Sequence, residues 1–138
     1  IPMSEVDDLD RLKRAGDQDS KTNQKLIAAA LRTADLIAKA CITTDEDKMG
    51  SQLGRNYTIL NRENRFCLVL RNGAPRGDVL FEERYVSRDV ALKLADDLAN
   101  GWLQELCEML EQRNTKSEAA LKFLAEADEA ILRTSGKK

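Results

Sequence analysis

The sequence predicts an α+β domain: N-terminal helices, a three-stranded antiparallel meander, then two C-terminal helices. Three observations predict it. Apolar residues recur at helical spacing from Leu26 to Cys41 and again from Val90 to Leu110. Three short apolar runs between Tyr57 and Val86 have the length and period of strands. The connections between those runs are too short for parallel crossovers, so the strands pair as an antiparallel meander.

Taken in order, Ser4 is placed to cap a first helix, with Glu5, Asp7 and Asp8 near its N-terminus. Val6, Leu9 and Leu12 form a thin apolar stripe, and Gly16 marks the expected stop. Ser20 caps a second, stronger helix that carries Leu26, Ile27, Ala30, Leu31, Ala34, Ile37, Ala38 and Cys41. A single long helix bent at Gly16 is the alternative. Thr43 to Asn56 has no period and contains Gly50 and Gly54, so it reads as a loop.

The expected strands are Tyr57–Leu60, Phe66–Leu70 and Val79–Val86. Alternation puts Phe66, Leu68 and Leu70 on an apolar face and Cys67, Val69 and Arg71 on a mixed one. Ser87 then caps a long helix whose stripe includes Val90, Ala91, Leu94, Leu98, Trp102, Leu106 and Leu110. Asp96, Asp97, Glu105 and Glu111 lie on its solvated side. Gly101 falls inside that helix, where it costs about 1 kcal/mol against Ala unless another backbone packs closely. Thr115-Lys116-Ser117-Glu118 has the form of a capping box and opens a closing helix. The expected organisation is thus one domain over 1–138: a helical arm at 1–42, a β-β-β-α core at 57–113 and a C-terminal helix at 115–136. Leu68, Phe81, Leu94, Leu98 and Trp102 are expected to be buried together.

At 138 residues the chain is long enough to bury a core without staples. Aromatics make up 4% of it, so that core rests on aliphatic side chains. Three cysteines, far apart and odd in number, read as small buried hydrophobes in a reducing compartment. There is no apolar run of membrane-spanning length and no signal-peptide pattern, and Ile1-Pro2 ahead of Met3 suggests that Met3 is the natural first residue. The expectation is a cytoplasmic protein with no membrane contact.

The chemistry of the chain is notable first for what it lacks. The absence of histidine removes the commonest general base and metal ligand. Neighbouring acids such as Glu82-Glu83 and Asp96-Asp97 diverge on a strand or a helix and cannot form a dyad. Asp45 to Asn56 begins like a calcium loop but has Met49 at its fifth position and Asn56 at its twelfth. Gly50-Ser51-Gln52-Leu53-Gly54-Arg55 has the glycines of a phosphate loop one residue too close, with no following Lys-Ser. Neither supports a site, so no catalytic residue, metal or cofactor is expected.

The positive signal is arginine. Residues 50–88 hold seven basic and four acidic side chains, and every basic one is an arginine: Arg55, Arg62, Arg65, Arg71, Arg76, Arg84 and Arg88. Guanidinium forks suit phosphate or the acids of a protein partner. In a meander they divide between two ends of the sheet about 17 Å apart, five residues at roughly 3.3 Å each. Two functions follow. The favoured one is a non-enzymatic binding or regulatory protein, an adaptor or inhibitor acting on a protein partner and self-associating through its apolar helices. The alternative is a nucleic-acid-binding module that uses the sheet and loop arginines.

Overall fold

The computed structural model describes residues 3–41, 51–62, 65–73 and 77–136. The fold class is α+β, with a long N-terminal helix, a four-stranded antiparallel sheet and C-terminal helices. The elements are α1 (Met3–Cys41), β1 (Ser51–Gly54), β2 (Tyr57–Arg62), β3 (Arg65–Gly73), β4 (Gly77–Leu80), α2 (Arg88–Asp97) and α3 (Leu103–Gly136). They fall into two compact units, Ile1–Trp102 and Leu103–Lys138. No helix among the described residues is long and apolar enough to cross a membrane.

The first unit is a sheet packed with two helices. α1 is one helix of 39 residues, about 58 Å long, rather than two helices parted at Gly16. Gly16 stays helical because nothing competes for its backbone: there is no proline, and no atom lies near the place of a Cβ. The hydroxyl of Ser20 therefore caps nothing. Burial along α1 begins only in its second half, at Ala30, Ala34, Ile37, Ala38 and Cys41. These small side chains let the helix approach β3 and α2 closely. Val6, Leu9 and Leu12 in the first half remain exposed.

The sheet has four strands in the order β1-β2-β3-β4. The strand that pattern reading misses is β1, placed in the expected loop. Ser51 pairs with Ile59 and Gly54 with Tyr57 across the two-residue turn Arg55-Asn56. Both turn residues have positive φ, 52° and 67°, which is the type I′ geometry that matches strand twist. Asn-Gly usually signals such a turn; Arg-Asn does not. Residues 42–50, with the first half of the calcium-like segment, lie outside the described residues.

β2 and β3 pair in the expected antiparallel way, with Tyr57 opposite Leu70, Ile59 opposite Leu68 and Leu60 opposite Cys67. Both faces are closed here. Tyr57, Ile59, Leu68 and Leu70 are buried on one, and Thr58, Cys67 and Val69 on the other, so the face expected to be mixed is apolar at its centre. β3 runs on to Gly73, which puts Arg71 in a strand rather than a loop. β4 is shorter than expected. After Leu80 only the bond from Phe81 N to Leu68 O remains; Glu82 then accepts from the amides of Tyr85 and Val86 and turns the chain. A run of Glu-Glu-Arg alternates well enough on paper, but no strand among the described residues pairs with it.

Ser87 caps α2 as the sequence indicates, its hydroxyl accepting from Val90 N. The long helix expected from Ser87 to Arg113 is broken, however. Leu98–Trp102 forms one wide turn in which Asn100 and Gly101 leave helical geometry, Gly101 at φ 101°. The glycine is there for its backbone. A left-handed residue at this point ends α2 and redirects the chain so that Trp102 enters the core, fully closed from solvent. Leu68, Phe81, Leu94 and Trp102 are all buried as expected, while Leu98, beside the break, is half-buried.

The second unit is α3 alone. It runs unbroken through Thr115, where a new helix was expected. The Thr115 and Ser117 hydroxyls bond back to the carbonyls of Glu111 and Arg113, so they stay inside the helix instead of capping one.

Candidate functional site

Among the described residues, the arginines singled out by the sequence do not form one surface. Arg76 lies outside the described residues. Arg62 and Arg65 are register partners at one end of the β2–β3 ladder. Arg55 and Arg71 belong to the opposite end, where Arg71 N donates to Asn56 O. Three arginines are held by acids or carbonyls of the chain itself. Arg71 pairs with Asp78. Arg88 grips Asp19 through both guanidinium nitrogens, at 2.6 and 2.9 Å, and so ties α2 to α1. Those hydrogen bonds, and then the charge itself, hold the Asp19 carboxyl below its ordinary value of 3.8.

Arg55 is the third, and it belongs to a clamp that sequence reading missed. Its Nη2 donates to Asn100 O at 3.0 Å and its Nη1 lies 3.9 Å from Asp97 Oδ1. Asp97 Oδ2 accepts from the Tyr57 hydroxyl at 2.8 Å and from Lys93 Nζ at 2.9 Å. Tyr57 stacks on Trp102, with ring centroids 4.1 Å apart, and Trp102 Nε1 donates to Leu53 O at 2.9 Å. The β1–β2 hairpin and the end of α2 are thus stitched together by one hydrogen-bonded cluster. Asp97 was expected in solvent, yet its side chain is only 15% exposed. Helix periodicity cannot reveal this, because the hairpin that covers Asp97 comes from the unrecognised β1.

The cluster positions rather than reacts. Burial, reinforced by the Asp97 carboxylate that accepts its proton, pushes the Tyr57 phenol well above its ordinary value of 10.0. A fully buried phenol held neutral in this way cannot act on a molecule from outside. The left-handed Arg55 costs on the order of 1–2 kcal/mol, offset by the bonds its guanidinium makes.

Arg65 and Arg84 are exposed and line an open cleft of about 720 Å³. One wall is α1, with Asp35 and Lys39; another is the turn after β4, with Glu82 and Glu83. Phe66, Leu68 and Phe81 contribute apolar surface. Three bases face three acids, so the cleft carries no net charge. Lys39 pairs with Asp35 at 2.8 Å, and Cys67 Sγ lies 3.7 Å from Glu82 Oε1. Such a lining fits a peptide of mixed charge better than a phosphate chain. No group of acids, cysteines or histidines among the described residues could hold a metal ion.

Comparison with protein families, curated proteins and solved structures finds no match to this chain.

Proposed function

We propose that this chain is a non-enzymatic, cytoplasmic binding or regulatory protein, an adaptor or inhibitor that works through protein–protein contacts. The observation that carries the reading is the exposed apolar surface of α3, where Leu121, Phe123, Leu124, Ile131 and Leu132 are 62–69% exposed. Surface of this kind, on a helix that forms a separate unit of the chain, supports a protein partner. The arginines support the same choice. Arg55, Arg71 and Arg88 are engaged within the chain, and the cleft beside Arg65 and Arg84 is as acidic as it is basic.

The competing nucleic-acid reading makes a different demand, because phosphate binding releases counterions and weakens steeply with salt. The test is a titration with labelled duplex and single-stranded DNA and RNA at about 50 and 200 mM salt. Background binding in every case is the expected result. Sub-micromolar affinity that collapses at the higher salt, and a salt slope flattened by Arg65→Ala with Arg84→Ala, would put the nucleic-acid reading in its place.

A further inference from the structure

We infer that α3 pairs with α3 of a second copy of this chain, antiparallel, about a two-fold axis level with Lys122. The inference rests on the protein–protein reading above and names the partner for its apolar helix.

Residues on a helix advance by about 100° each. On that wheel α3 has one stripe: Leu106 at its N-terminal end is buried within the chain, while Leu124 and Ile131 further along are exposed, and Leu110, Ala120, Leu121 and Ala127 flank the line. Lys122, Glu126, Glu129 and Arg133 lie on the far side, Glu129 and Arg133 as an exposed i,i+4 pair. The stripe keeps heptad spacing through Leu110, Arg113, Ser117, Ala120, Leu124, Ala127, Ile131 and Thr134. From Asn114 to Ser135 the helix is exposed throughout, apart from a half-buried Ala127.

Charge selects the partner and its direction. Within about 60° of the stripe's centre only Arg113 and Asp128 are charged, and their signs are opposite. A parallel pair of α3 helices sets Arg113 beside Arg113 and Asp128 beside Asp128. An antiparallel pair can set each Arg113 beside the Asp128 of the other copy, twice per dimer. The register that keeps the heptads in step puts Ala120 level with Leu124 and Ser117 level with Ala127, brings Leu121 and Phe123 to either side of the axis, and leaves Arg113 and Asp128 of the two copies about 4.5 Å apart along the helices, three residues at about 1.5 Å each. Leu121, Leu124 and Ile131, the exposed large side chains on the stripe, then meet those of the other copy. A two-fold arrangement is also the one in which one surface satisfies itself without open-ended assembly.

Cys107 makes the test direct. It is exposed on α3, whereas Cys41 and Cys67 are buried and none of the three is in a disulfide. In the antiparallel dimer two spin labels at Cys107 stand roughly 45 Å apart, thirty residues of helix at about 1.5 Å each. Labels at Phe123→Cys, in a Cys107→Ser background, fall within about 15 Å of each other, close to the width of two packed helices. Light scattering should give a mass of twice 15.5 kDa. Arg113→Asp or Asp128→Arg alone should weaken the dimer about tenfold or more, since each dimer loses the contact twice, and the double exchange should restore it.

A monomer at high micromolar concentration overturns the inference, and so does a short Cys107–Cys107 distance, which means parallel helices. A dimer that Leu124→Glu leaves intact is held elsewhere and overturns it too. Circular dichroism on each variant separates loss of association from loss of fold. None of these outcomes changes the nucleic-acid titration, so failure here and failure of the protein-binding reading are told apart.

Discussion

The two units of this chain carry the same kinds of large apolar side chain, with opposite fates. In the first unit, Tyr57, Leu68, Val69, Leu70, Leu94 and Trp102 are each at most 1% exposed. In α3, Leu121, Phe123, Leu124, Ile131 and Leu132 stand 62–69% exposed. The side chains are of one kind; the difference is whether a second layer exists to receive them. A sheet with helices packed on it closes around its own residues, and a single helix cannot cover its own stripe. Burial therefore follows from the layer that receives a side chain and not from the side chain's type.

Breaking the closed unit should have the largest effect. Trp102→Ala removes the ring that stacks on Tyr57 and leaves Leu53 O without its donor, and should cost about 3–5 kcal/mol in urea unfolding. A loss below about 1 kcal/mol would mean that this core is looser than its burial indicates. Gly101→Ala comes next. The added methyl meets nothing closer than Arg55 Nη2 at 3.7 Å, so the cost is backbone strain at φ 101°, roughly 1–2 kcal/mol. A neutral result would show that the break between α2 and α3 tolerates another conformation.

Tyr57→Phe keeps the stack and removes the hydroxyl bonded to Asp97, for about 1 kcal/mol near neutral pH. It also carries a pH signature. The phenol's folded pKa is raised above its ordinary 10.0, so the native state keeps a proton that the unfolded chain releases. That stability is fully present below pH 10 and is lost as pH rises above it. The variant should accordingly show a shallower alkaline decline than the parent protein, and equal slopes would contradict the clamp.

Thr58→Val probes the other face of the sheet. The Thr58 hydroxyl is buried with no hydrogen-bond partner, so a side chain of the same shape without it should raise stability by up to about 1 kcal/mol. The smallest effect belongs to the other unit. Leu124→Ala, measured in dilute monomer, should fall within about 0.5 kcal/mol of the parent, although Leu94→Ala in the core should cost about 2–5 kcal/mol. Comparable losses from the two leucines would erase the distinction between the units.

The candidate site was legible in part. Arginine enrichment around the sheet was visible in composition, but whether each arginine faces an acid was not, because Asp19, Asp78 and Asp97 meet Arg88, Arg71 and Arg55 only in the fold. Ser87 was recognisable as a cap because its partner, Val90 N, is three residues away. The clamp was invisible because its members are 40 and more residues apart.

The sequence by itself determined the α+β class, the antiparallel β2–β3 pairing, the Ser87 cap and the core of Leu68, Phe81, Leu94 and Trp102. Each of these depends on period or on neighbours within a few residues, which a one-dimensional pattern carries. Only the tertiary structure decided that Gly16 is passed through and Gly101 is a break, although both glycines sit in helical patterns. At Gly16 no side chain needs the helix to stop. At Gly101 the core draws in Trp102, and the helix yields because packing a tryptophan outweighs the few backbone hydrogen bonds lost at one turn.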